Sequence, residues 1–146
     1  MKKRSFTTLG TLLLLAAASA FGQQRVRYDI PFEFHFMDTV MPAGQYEVNV
    51  ATNNVRHLLS LECYDCRTHA ISTTYGIGGG GNPPSVGRLV FNKYGETYFL
   101  SEVWTPGDLQ GGGLSKSKTE SETARATPSV ARVTVPARKG VAIARR

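Results

Sequence analysis

The stretch Arg88–Trp104, RLVFNKYGETYFLSEVW, constrains the fold more than any other part of the chain. It reads as two apolar strands folded back on each other at Tyr94-Gly95-Glu96, where Gly95 supplies the positive φ of a three- to five-residue hairpin loop. On the second arm Phe99 and Val103 share one face, and Tyr98, Leu100 and Trp104 share the other. Apolar residues on both faces point to a strand covered on both sides. The hairpin carries the single Trp of the chain, which makes it the densest store of burial energy.

Upstream, Val26, Tyr28, Ile30, Phe32, Phe34 and Phe36 alternate with Arg27, Asp29, Glu33 and His35. That period of two predicts one strand over 24–36 with a buried and a wet face, His35 lying on the wet one. Pro31 lacks a ladder donor, so the strand is an edge there or carries a bulge. Asp38 to Gly44 reads as a turn. A second strand follows through Tyr46, Val48 and Val50, and Thr52-Asn53-Asn54 makes a hairpin turn. Val55 to Glu62 is a third strand, CYDC (63–66) reverses it, and Arg67 to Tyr75 is a fourth.

Two breaker-rich stretches, Gly76 to Gly87 and Thr105 to Gly113, read as loops. No Lys-Ser/Thr follows the first, so it lacks the signature of a phosphate-binding loop. Ser117 and Glu120 stand at capping-box spacing, which predicts a short exposed helix over Lys118–Ala126 without an apolar stripe. From Pro128 onward the sequence reads as a disordered tail. The expected architecture is all-β: an antiparallel meander of about six strands, closed into a small barrel or folded into a sandwich. Seven aromatic side chains are expected in its core: Phe32, Phe34, Phe36, Phe91, Tyr98, Phe99 and Trp104.

The chain start has the pattern of a secretory leader. Lys2, Lys3 and Arg4 precede a short apolar run, and small residues around Ala20 and Gly22 offer a cleavage site. The organisation read from sequence is therefore a signal peptide at 1–22, a β-domain at 23–114, and a helix with a basic tail at 115–146. An exported protein, periplasmic or extracellular, is expected.

The net charge of +6 sits at the ends. Ser115–Arg146 holds eight basic residues against two acidic, while Ser5–Leu114 holds six against nine. This distribution argues against nucleic acid and towards an anionic lipid or envelope polymer as a partner for the tail.

The pattern IPFEF, MPAGQYEV, RLVFNKYGETYFLSEVW and LSKSKTESE resembles a group of short exported bacterial proteins common in acidobacterial genomes. Their central motif reads close to L-V-F-x-x-Y-G-x-x-Y-F-L-x-x-V-W. The resemblance spans roughly Val26–Glu122 and implies a fold and export, with no activity attached. The CYDC turn, the glycine loop and the basic tail depart from the pattern.

Cys63 and Cys66 outside the cytoplasm read as a disulfide clasping a turn. Strand-like flanks speak against a thiol-redox pair, which needs a helix N-terminus. The alternative is a zinc or copper site built from Cys63, Cys66 and His69, spaced C-x2-C-x2-H, with His57 from the paired strand. Glu33, Glu47 and Glu102 are the carboxylates available for hydrolysis, but no catalytic motif accompanies them, so a non-enzyme without a cofactor is expected. Tyr75, Tyr94, Tyr98 and Trp104 could form a carbohydrate-binding face if they were exposed; large aromatics usually bury most of their area.

Overall fold

The computed structural model describes residues 25–52 and 57–138. Residues 1–24, where a leader is expected, residues 53–56, which include the expected Asn53-Asn54 turn, and residues 139–146 lie outside the described residues. Ten strands and one helix follow in order: β1 (Arg25–Ile30), β2 (Phe34–Phe36), β3 (Thr39–Met41), β4 (Gly44–Thr52), β5 (His57–Cys63), β6 (His69–Gly78), β7 (Arg88–Tyr94), β8 (Thr97–Trp104), β9 (Gln110–Gly113), α1 (Lys118–Ala126) and β10 (Val130–Pro136).

The fold is all-β, but it is not a six-strand meander barrel. The strands form one open, mixed sheet in the order β1-β4-β5-β6-β9-β8-β2-β3, and β8 also carries β7 and then β10 on its other edge. The β2–β8 pair is parallel, with His35 opposite Phe99. Strands β1, β4 and β5 bury Tyr28, Ile30, Tyr46, Val48, Leu59 and Leu61 in the same cluster as Leu89, Phe91, Leu100 and Val135 from β7, β8 and β10. The sheet must therefore curl over one interior.

The long first strand is broken by Pro31 into β1 and β2, which pair with different neighbours. Its alternation survives the break, because Phe34 and Phe36 still point inward after Tyr28 and Ile30. The segment read as the 38–44 turn contains β3, since Met37, at φ 56°, lets the chain reverse within two residues so that Phe36 pairs with Thr39.

The central hairpin is tighter than expected. Tyr94 pairs with Thr97 across Gly95-Glu96, and Gly95 sits at φ 59°. Its register shifts between Val90 and Phe91, which face Glu102 and Leu100, leaving Ser101 as an extra residue. Such a bulge reverses the side-chain parity of the strand. Leu100 and Val103, three apart, thus both join the core. Phe99 and Trp104 are buried on the opposite side. There Phe99 packs edge-on to Tyr94 and flat against His35, 4.6 Å between centroids, so His35 is half-buried and not on a wet face.

Both segments read as loops contain strand. Tyr75 to Gly78 pairs with Gly113 to Gln110. A ladder bond needs only backbone, and glycine adds close approach. A Cβ on Gly111 would lie 2.8 Å from the Trp104 indole, and one on Gly113 would lie 2.6 Å from the Tyr75 ring. Aromatic rings take the place of the missing side chains.

The residues after Pro128 include β10, which pairs with β7 along its whole length, from Val130 opposite Tyr94 to Pro136 opposite Arg88. Val133, Val135 and Ala137 provide an alternation that the sequence reading passed over. The Ala137 N–H donates to Gly87 and the next N–H, Arg138, donates away from β7 to the Arg27 carbonyl of β1. By alternation, the missing N–H of Pro136 falls on the outer edge, where no β7 bond is lost. Arg132 pairs with Glu102 and Arg138 with Asp29. These exposed pairs contribute about 0–1 kcal/mol each.

The helix has the expected bounds, and the Ser117 Oγ accepts from the Glu120 N–H. It is not free-standing. Glu120 is 4% exposed and accepts from Asn92 Nδ2 and the Tyr94 hydroxyl. At the helix start Asp38 accepts from the Thr119 hydroxyl and N–H, which holds its carboxyl below the usual carboxylate range. A polar anchor thus replaces the apolar stripe. Glu120→Ala strands two donors and should lower stability by about 1–3 kcal/mol, read as a fall in the urea midpoint at unchanged slope. An unchanged midpoint would mean that the helix is not docked through this carboxylate.

Candidate functional site

The least expected surface lies around the CYDC turn, where β5 reverses into β6. The sulfurs of Cys63 and Cys66 are bonded, with their Cα atoms 5.4 Å apart. Cys63 N–H donates to the Thr68 carbonyl and Cys66 N–H to the Cys63 sulfur, while Arg67 takes φ 53°. The Tyr64 N–H donates to Gln45 on β4, which ties the turn back to the sheet. Beneath it the Tyr46 hydroxyl donates to the Pro42 carbonyl, and burial pushes its pKa up to about 12. The turn is fixed by a covalent bond, three backbone donors and a buried floor.

On this rigid turn Tyr64 projects outward, 68% exposed. The Arg27 guanidinium lies 5.3 Å from its ring centre. Arg27 in turn reaches Glu47, as does Arg25 at 2.9 Å. Residues directly opposed across a ladder share a face. The outer face therefore carries the row Arg27, Glu47, Glu62, His69 from β1 through β4 and β5 to β6, and beside it Ser60 opposite Ile71. Glu47 and Glu62 directly opposed would repel, and the two arginines on Glu47 offset this.

Next to Tyr64 the surface opens into a groove of about 550 Å³, lined by Ser60, Glu62, Tyr64, Arg67, His69 and Ile71 together with the edge of the disulfide. Ser60–Glu62 of β5 are paired on both sides, to β4 and to β6, whereas His69–Ile71 of β6 are paired to β5 alone.

The proposed metal ligands are not gathered. His69 pairs with Glu62 beside the turn, but His57 pairs with Thr74, five ladder steps away, about 17 Å along the strand. It lines a separate small cavity of about 80 Å³ with Asp108 and Gln110. Both cysteine sulfurs are committed to each other, and a thiolate site would need that bond broken. Among the described residues no group of three or more His, Cys, Asp or Glu is arranged around a point where an ion could sit.

Two of the three carboxylates singled out for hydrolysis hold other partners, while Glu33 lies exposed ahead of β2. Glu47 binds the two arginines, and Glu102 accepts from the Trp104 indole and from Arg132. Of the expected core aromatics, Phe34, Phe36, Phe91, Phe99 and Trp104 are buried, while Phe32 and Tyr98 are half-buried and stacked on each other at 3.9 Å. Tyr75 is exposed, but Tyr94 and Trp104 are buried and no four-ring platform exists.

No family model, no curated protein and no solved structure matches this chain. The groove therefore stands on its geometry alone. Sequence reasoning took CYDC as a reversal and assigned no binding role to Tyr64 inside it or to Arg67 directly after it. The period-two series His69, Ile71, Thr73, Tyr75 was the available signal for a half-apolar outer face on β6.

Proposed function

We propose that this chain is an exported, non-catalytic β-domain that binds a component of the cell envelope through the groove beside the Cys63–Cys66 turn. Export rests on the leader pattern in residues 1–22. The binding role rests on one observation above others: Tyr64 is held outward on a disulfide-fixed turn at the end of an open groove. Burying a large aromatic is favourable, so an exposed ring that is rigidly held is suited to a partner. Pre-organisation also lowers the entropy lost on binding.

The basic residues of 115–146 are a weaker basis for an anionic partner. Within that stretch Arg132 and Arg138 are already paired with Glu102 and Asp29.

Retention of the oxidised protein on envelope fractions tests the reading. Tyr64→Ala and Arg67→Ala should each reduce retention by about tenfold or more, as expected for residues central to an interface. Tyr75→Ala, an exposed ring outside the groove, should not. Equal retention of all four proteins would remove the groove from the function.

A further inference from the structure

The groove also limits the chemistry of its ligand. One carboxylate and one guanidinium line it, Glu62 and Arg67, with His69 opposite Glu62 on the ladder. A phosphate or other anion would meet Glu62 next to its cation. Ser60–Glu62 of β5 are paired on both sides, so an added peptide strand could pair only along the outer edge of β6 from His69 to Thr74, which has no strand partner among the described residues. The open groove has an aromatic ring at one end and Ile71, 60% exposed, along it. Between them stand a hydroxyl, a carboxylate, a guanidinium and an imidazole, from Ser60, Glu62, Arg67 and His69.

Such a set matches a ligand that is itself two-sided: C–H faces that lie against a ring and an aliphatic side chain, and closely spaced hydroxyls that donate and accept at once. Carboxylate and guanidinium side chains are suited to those hydroxyls because each offers two parallel hydrogen-bonding atoms. We infer that the groove binds a neutral oligosaccharide, seated with one sugar face on Tyr64 and its hydroxyls on Glu62 and Arg67. The inference rests on the binding role of the groove proposed above and names the ligand class.

The geometry explains several features together. Arg27 covers one side of the Tyr64 ring, orienting it and leaving the other side for the sugar. The Cys63–Cys66 bond closes the turn that carries Tyr64, and Arg67 follows it directly at φ 53°, which keeps the stacking and hydrogen-bonding groups on neighbouring residues. The bound ligand makes no covalent bond and needs no metal.

The test is titration of the oxidised protein with two probes, a β-linked glucose tetrasaccharide and a β-linked N-acetylglucosamine tetrasaccharide, followed by amide shifts in heteronuclear NMR. Saturable shifts at Glu62, Tyr64, Arg67, His69 and Ile71 with at least one probe are expected. Tyr64→Ala should weaken that binding by about tenfold or more, and Glu62→Gln should weaken it as well, both with unchanged unfolding midpoints. Breaking the disulfide with a dithiol should weaken it too. If neither probe shifts these amides while envelope retention still depends on Tyr64, the groove binds something else and the oligosaccharide inference fails alone. Saturable shifts only with a short peptide probe would overturn it in the same way. If retention is independent of Tyr64 and neither probe binds, both readings fail.

Discussion

A chain that ends at Thr127 will not fold cooperatively. Removing the residues beyond it deletes β10, its seven register pairs with β7, and the buried side chains of Val135 and Ala137. It also opens the β7 edge beside Leu89 and Phe91, both fully buried. Each buried valine-sized side chain contributes about 1.5–3 kcal/mol. Adding Val133, the lost ladder and the exposed β7 face brings the loss to the same order as the about 5–15 kcal/mol that holds a whole domain. Circular dichroism of the shortened chain should show no sigmoidal thermal transition, and a chain ending at Arg138 should recover it. A cooperative transition in the shortened chain would mean that residues 128–138 are the loose tail their composition suggests.

Phe91→Ala should destabilise the protein by about 3–5 kcal/mol, the usual range for emptying a phenylalanine site in a core. Phe91 is completely buried and meets Phe32 and Phe34 edge-on at 5.1 and 5.3 Å. It therefore joins the central hairpin to the segment leading into β2, and Phe34 passes the contact on to Tyr46 of β4. No small shift of one strand can refill a space bounded by three. Ile71→Ala provides the contrast: its side chain is on the outer face, and the change should stay within about 0.5 kcal/mol. Urea unfolding of both variants measures the difference, and equal midpoints would refute the placement of the core.

The site was less legible than the fold for a specific reason. A buried side chain leaves a mark in sequence because its apolar character recurs at the strand period. A groove on the outer face leaves a weaker one, here the period-two series His69, Ile71, Thr73 and Tyr75. Glu62, His69 and Ile71 reach one face only because β5 and β6 pair in the register that sets Glu62 opposite His69 and Ser60 opposite Ile71. A shift of one residue would send each of them to the interior. The spacing C-x2-C-x2-H brings His69 close to the turn, while the same ladder carries His57 to its far end.

Residue order alone determined the alternating strands, the reversal at Gly95, the helix between Ser117 and Thr127, and the pairing of Cys63 with Cys66. All four depend on neighbours a few positions apart: side-chain periodicity, a positive φ, a cap and a short bridge. Tertiary structure alone decided that Gly76–Gly78 and Gln110–Gly112 pair, that β10 completes the β7 edge, and that β8 branches the sheet. Backbone hydrogen bonds made these choices. Every residue carries the same amide, so glycine and a sparse Val-x-Val pattern can enter a ladder without announcing it, and only the approach of Trp104, Tyr75 and β7 in space selects which of them do.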